Sequence, residues 1–260
     1  MAKRALALVA HPDDTEFLVA GTLMLLKQAG YDIHYLNIAN GAYGSTTMTR
    51  EQTVVTRTAE ARAACEAMGA TFYPPMVDDL AIFYTEELLL KVLAAVRRAN
   101  PEILLTLSPQ DYMEDHINAG RLAVTAGFCK NIPNYVSDPP VEPTTGDVVV
   151  YHAMPVSLTD QLRHPILPEL CVDISSVIQD KRRVLACHAS QKQWLDETQG
   201  MDNYLDSMQE LCANVGRMSG RFEYAEGWRR HAHAGFAPEG FDPLREALGK
   251  NVLVLQSPGP

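Results

Sequence analysis

Four consecutive residues, His11-Pro12-Asp13-Asp14, place one imidazole and two carboxylates within a single short stretch of chain. They follow directly on the apolar run at residues 5–10, which reads as a buried strand. Pro12 cannot continue a hydrogen-bonded ladder, so the chain must turn there. The three polar side chains are therefore expected at the carboxyl end of a first strand, where open α/β sheets bind ligands. Imidazole nitrogens and carboxylate oxygens suit divalent metals, and a catalytic ion takes three protein donors and keeps a fourth position open. His11 and Asp14, three residues apart across a turn, can share one ion.

A third donor must come from another strand end. The segment 108–116 follows a strand-like stretch at 102–107, and His116 stands where a helix is expected to begin. If those two strands are neighbours, His116 meets His11 and Asp14 over the sheet edge. Asp13 neighbours a ligand but cannot easily share its ion, which leaves it free to take a proton from a metal-activated water. Each residue also has a plainer reading: the Asp pair could cap the following helix, and His116 could be a satisfied polar residue. Two such segments, both at strand ends, favour the metal.

The elements that must position these residues alternate between strand-like and helix-like, the pattern of a mostly parallel sheet with helices on both faces. Residues 16–29 read as a helix closed by Gly30, 32–39 as a strand, and 40–45 as a glycine-rich loop. Thr49 and Gln52 form a capping box opening a helix at 50–68, with Ala61, Ala64, Cys65 and Met68 inward. Leu88, Leu89, Val92, Leu93 and Val96 repeat at helical spacing up to Asn100-Pro101. A helix at about 116–130 follows the second metal segment. Residues 131–146, rich in Pro, Thr and Asp, are expected to form an irregular connection and are a candidate lid over the site. Strands are expected at 148–151 and 170–173, an Asp173-capped helix at 174–190, a polar helix at 201–218 and an extended tail at 235–260. The expected architecture is one Rossmann-like α/β domain over 1–260. Residues 1–130 form its core, 147–234 the remaining strands and helices, and the C-terminal part a helical and extended elaboration.

Composition excludes several classes of function. A net charge of −10 with no basic run argues against a nucleic-acid partner. A hydrophobic fraction of 47% is ordinary for a globular chain, and no apolar stretch approaches the length of a membrane span. The N-terminus lacks a signal-peptide core, so a cytoplasmic location is expected. Five scattered cysteines without C-x-x-C spacing read as reduced thiols.

Residues 10–14, Ala-His-Pro-Asp-Asp, resemble the signature of the PIG-L/LmbE-like zinc-dependent deacetylases, Rossmann-like enzymes that remove N-acetyl groups, chiefly from N-acetylglucosaminyl compounds. The Gly41-Ala42-x-Gly44-Ser45 loop, the Arg57-x-x-Glu60 helix, the His188–Gln191 segment and Tyr224-Ala225-Glu226-Gly227 resemble the family in the same order. The resemblance implies His11, Asp14 and His116 as zinc ligands, Asp13 as general base and Arg57 as a binder of the substrate's polar groups. It also implies a small amino-sugar substrate and a homo-oligomer. Zn²⁺ is the implied cofactor, although such a donor set also accepts Fe²⁺, Co²⁺ or Mn²⁺. One departure matters. Many members carry His-x-x-His at the second segment, and here the first His is Met113, which has no titratable proton. Tyr112, His188 and a protonated Asp13 are the candidates for its role. Asp115 is expected to orient a ligand or cap the helix. Two alternatives remain: an amidase for another acylated amine or thiol conjugate, and a metal- or sugar-binding module that has lost catalysis.

Overall fold

The computed structural model describes residues 3–191 and 204–255. Its first strand, β1 (Arg4–Val9), is buried along almost its whole length. β1 pairs in parallel with β2 (Asp32–Asn37) on one side and β4 (Ile103–Thr106) on the other. β3 (Thr71–Tyr73) extends the sheet beyond β2, and β5 (Val149–Ala153) extends it beyond β4, both in parallel. β6 (Leu170–Asp173), β7 (Ala225–Arg230) and β8 (Val252–Val254) join by antiparallel pairing. The order is β3-β2-β1-β4-β5-β7-β6-β8. The expected mostly parallel sheet is therefore present, and β1 and β4 are the neighbours that the metal reading needed.

Helices α1 (Ala20–Gln28), α2 (Arg50–Met68), α3 (Glu86–Ala99) and α4 (Glu114–Cys129) cross between the parallel strands. α2 opens with the Thr49/Gln52 capping box and ends on Gly69 in the left-handed region. α3 buries Leu88, Leu89, Val92, Leu93 and Val96 as its spacing predicts. Each such Leu or Val leaving water contributes roughly 1.5–3 kcal/mol. α5 (Ile178–Leu185), α6 (Tyr204–Ser219) and α7 (Pro243–Leu248) follow later in the chain.

Several expectations are corrected. The first helix is not regular from residue 16: a π-helical turn, Thr15–Val19, precedes α1. Its wider winding displaces the amides that follow, and the Glu226 carboxylate accepts from Gly21 N at 2.8 Å and Thr22 N at 2.7 Å. α5 is shorter than 174–190, because Asp173 accepts from Ser175 N in a local turn instead of capping a helix. α4 starts at Glu114, two residues before His116. The tail is not simply extended: it holds α7 and β8. The polar helix begins within the described residues at Tyr204, and 201–203 lie outside them.

Residues 131–146 are irregular as expected, and their hydrogen bonds run to α3 and the C-terminal end of α4, with Asp138 N donating to Leu90 O at 3.1 Å. Arg97 donates to the carbonyls of Lys130, Val141, Ile132 and Tyr135 at 2.8–3.1 Å, and Lys130 Nζ donates to Gly146 O at 2.8 Å.

Candidate metal centre

The turn after β1 is built by Pro12 and by Asp13, whose φ of 108° is unusual for a side-chain-bearing residue. Asp14 N donates to His11 O, and Phe17 N to Asp13 O, so the strained turn is held at both ends. Asp14 Oδ2 accepts from the His11 backbone N at 2.7 Å. The turn points Asp13 and Asp14 in different directions, which separates their partners.

His11, Asp14 and His116 offer donor atoms that all lie within 4.8 Å of one another, and all three residues are largely shielded from solvent. His11 Nδ1 stands 3.5 Å from Asp14 Oδ2, and His116 Nε2 stands 3.4 Å from Asp14 Oδ1. Two donors about 2.1 Å from a tetrahedral ion would be about 3.4 Å apart, so this spacing fits a divalent metal. Each outward ring nitrogen faces a carboxylate. Asp115 Oδ2 lies 2.9 Å from His11 Nε2, and Asp111 Oδ1 lies 3.1 Å from His116 Nδ1. Carboxylates behind both imidazoles are the usual support of metal-ligating histidines. Asp115 was expected from the sequence, but Asp111 was missed. Its signal was an Asp in the same strand-end loop as His116.

The charges agree with the geometry. Burial works against a charged His11, yet hydrogen bonds to Asp115 and Asp14 outweigh it and push its pKa up to about 9. Burial likewise opposes charge on His116, and Asp14 and Asp111 overcome it. Asp14 is held below the usual carboxylate range, because the two imidazoles outweigh its burial. The cage thus holds positive charge beside Asp14, as an ion would.

Asp13 faces a different set. Tyr204 donates to Asp13 Oδ2 at 2.5 Å, and Arg57 Nη2 lies 3.6 Å from Asp13 Oδ1. Burial, opposed mainly by Arg57, leaves the Asp13 pKa raised. Tyr204 comes from α6, 191 positions away, and nothing in its local sequence marks it.

Arg57 and His188 lie beneath the turn and not at its mouth. Arg57 is 2% exposed and donates to Pro12 O at 2.5 Å and to Gln191 Oε1. Gly41 and Gly44 wrap it: a Cβ on Gly44 would stand 2.5 Å from Arg57 Nη1. His188 is fully buried, with Nε2 at 3.3 Å from Glu16 Oε2. Tyr112 is the rim residue. It is 63% exposed and meets the His116 ring edge-on at 5.8 Å. Met113 supplies the residue before α4 and no proton.

Fold and site together define an α/β protein with a candidate divalent-metal centre at the carboxyl edge of its parallel strands. Residues 6–127 match the PIG-L family described as GlcNAc-PI de-N-acetylase. The chain is 27% identical over 236 residues to the diacetylchitobiose deacetylase of Thermococcus kodakarensis, covering 87% of this chain and 82% of that protein. It is 27% identical over 205 residues to the Bacillus cereus protein described as "Probable N-acetyl-alpha-D-glucosaminyl L-malate deacetylase 2", covering 74% and 84%. It is 29% identical over 235 residues to the 4-oxalmesaconate hydratase of Pseudomonas putida, covering 86% and 88%. The fold matches the solved N,N'-diacetylchitobiose deacetylase of Pyrococcus horikoshii with a TM-score of 0.75 at 20% identity, covering 94% of this chain and 89% of that one. The proteins that the chain is similar to thus include two named as deacetylases and one named as a hydratase.

Proposed function

We propose that the chain removes the N-acetyl group from an N-acetylglucosaminyl-type substrate, with a divalent ion, Zn²⁺ by preference, held by His11, Asp14 and His116. The observation that carries this reading is the carboxylate of Asp13 standing beside a three-donor cage without belonging to it. A divalent ion in that cage supplies Lewis acidity, polarising an amide carbonyl and acidifying a water. Asp13 takes the proton of the attacking water through Oδ1, since Oδ2 is occupied by Tyr204. Protonated Asp13 then returns that proton to the departing amine, a role that Met113 cannot fill. Tyr112, whose hydroxyl keeps its proton at neutral pH, donates to the developing oxyanion. Arg57 and His188 position Asp13 from beneath and do not touch substrate.

A hydratase is the second reading, favoured by the 29% identity to the 4-oxalmesaconate enzyme. The same cage and base could activate water for addition to a carbon–carbon double bond. The test is to offer zinc-loaded protein N-acetylglucosaminyl compounds, other acylated amines including thiol conjugates, and 4-oxalmesaconate in parallel. Metal-dependent acetate release from the first group alone is the expected result. Loss of the ultraviolet absorbance of 4-oxalmesaconate without acetate release would replace the deacetylase by the hydratase.

A further inference from the structure

The loop between β3 and α3 carries an apolar side chain that core packing does not explain. Leu80 is 63% exposed, yet it holds a left-handed backbone with φ of 61°, where Gly or Asn would be unstrained. Its amide donates to Asp115 Oδ2, the oxygen that also lies 2.9 Å from His11 Nε2. Ile82, two residues on, is buried and anchors the loop in the core. The neighbouring acids are already engaged. Asp78 faces Arg50, and Asp79 accepts from the amides of Gly41 and Tyr43 at 2.8 and 3.1 Å. Strain held at the edge of a site, on an exposed leucine, points to a side chain that contacts a ligand.

The adjoining wall is apolar too. Tyr112 lays its ring against His116, and Met113 stands half-buried one helical turn ahead of that histidine. Met113 N donates to Asp111 Oδ1 at 3.1 Å, so the backbone is fixed while the flexible thioether can adapt to what it touches. Leu80, Tyr112 and Met113 thus form a collar beside the cage, placed by the consecutive residues Asp115 and His116.

Asp13 decides which part of an amide meets this collar. Its partners Arg57 and Tyr204 come from α2 and α6, which pack with α5 as one layer. The collar belongs to the leading ends of α3 and α4, which pack together as the other layer. An amine that receives a proton from Asp13 must lie within hydrogen-bond reach of it. With the nitrogen on that side and the carbonyl oxygen at the cage, the remaining substituent of the acyl carbon is directed toward the collar.

We propose that the collar binds an apolar acyl chain, and that the site hydrolyses N-acyl amides longer than acetyl in addition to the acetyl group. This rests on the deacetylase reading above. In the reaction the acyl C–N bond breaks and the oxygen of water bonds to the acyl carbon. The proton from water reaches the nitrogen by way of Asp13, leaving a free amine and a carboxylic acid.

The test titrates N-acetyl-, N-butanoyl-, N-hexanoyl- and N-octanoylglucosamine into metal-free protein by calorimetry, where no hydrolysis intervenes. Affinity should rise about two- to fourfold per methylene until the collar is filled. Met113→Gln, a polar side chain of similar length, should weaken hexanoyl binding about tenfold, and Met113→Leu should retain it. Leu80→Asn, which tolerates a left-handed backbone, should weaken hexanoyl binding and leave acetyl binding unchanged. With zinc-loaded protein, glucosamine release from the N-hexanoyl compound should show a lower KM than from the N-acetyl compound, and Met113→Gln should remove the difference. Affinity that is flat from acetyl to hexanoyl, or unchanged in Met113→Gln, overturns the proposal. So does an equal gain for octyl N-acetylglucosaminide, whose chain leaves from the sugar. If zinc-loaded protein releases glucosamine from none of the series while Met113-dependent binding still rises with chain length, the deacetylase reading fails and the collar assignment stands.

Discussion

Asp115 Oδ2 joins His11 to the β3–α3 loop: it lies 2.9 Å from His11 Nε2 and accepts from Leu80 N at 2.7 Å. One oxygen thereby sets the ring orientation of a candidate ligand on β1 and fixes a loop beyond β3. Leu80 adopts a left-handed backbone with φ of 61°, a strained conformation for leucine that this bond helps to hold. Replacing Asp115 by Ala should free the imidazole and lower metal affinity about 10- to 100-fold, the usual effect of losing such a support. Competition against a fluorescent zinc chelator measures it. Glu114→Ala, one residue away and exposed, is the control and should leave affinity unchanged.

Asp13 and Asp14 are adjacent but should respond oppositely to mutation. Asp13→Asn keeps a side chain of the same shape and removes the proton acceptor. Turnover should fall about 10²- to 10⁴-fold, the range expected for a general base. Bound metal per chain, measured by plasma emission, should stay near that of the wild type. Asp14→Asn should instead lose the metal. A variant Asp13→Asn that also loses metal would show that the two carboxylates share one task.

The grouping of the three candidate donors was legible because it is local: His11 and Asp14 share one turn, and His116 needed only that β1 and β4 be neighbours. The sheet class was legible for a similar reason, since buried strands and amphipathic α3 print their periods in the sequence. What surrounds Asp13 was not. Tyr204 reaches it from α6 through tertiary packing that no spacing encodes. Arg57 reads as an exposed helix charge or a substrate binder until the glycine loop is seen folded over it. The 131–146 segment has the composition of a lid, but composition does not say what a connection is bonded to. That was set by where α4 ends, against Arg97.

Glu226 and Lys181 form a buried pair, 2.5 Å apart, whose carboxylate also holds the amides of Gly21 and Thr22. This assigns a structural task to the Tyr224–Gly227 motif: it anchors the helix that follows the metal turn. Glu226→Ala strands a buried ammonium and two amides, and should cost about 3–5 kcal/mol. Urea unfolding of metal-free protein checks this. A smaller loss for Glu226→Gln is expected, because the amide oxygen can still accept from Gly21 or Thr22. Equal losses would mean that the charge and not the hydrogen bonding dominates.

His152 gives the fold a specific acid sensitivity. Burial, opposed by the bond to Leu107 O, lowers its pKa from 6.5 to about 4. Between those values the unfolded chain binds a proton that the folded chain refuses. Stability therefore rises with pH through this window and is lost as pH falls from 6.5 toward 4. The difference of about 2.5 units corresponds to roughly 3 kcal/mol at the acid end. His11 and His116 act in the opposite sense, because their pKa values are raised, so in metal-free protein their contribution is full below pH 6.5 and fades only as pH rises above it. His34 and His231 are lowered and add to the acid loss, so the single residue must be isolated by difference. His152→Gln can keep a donor toward Leu107 O without a titrating ring. Its unfolding free energy should be flatter than that of the wild type between pH 4 and 6.5, with the two curves parallel from pH 7 to 8. Identical slopes in the acid window would mean that His152 takes up its proton in the folded state.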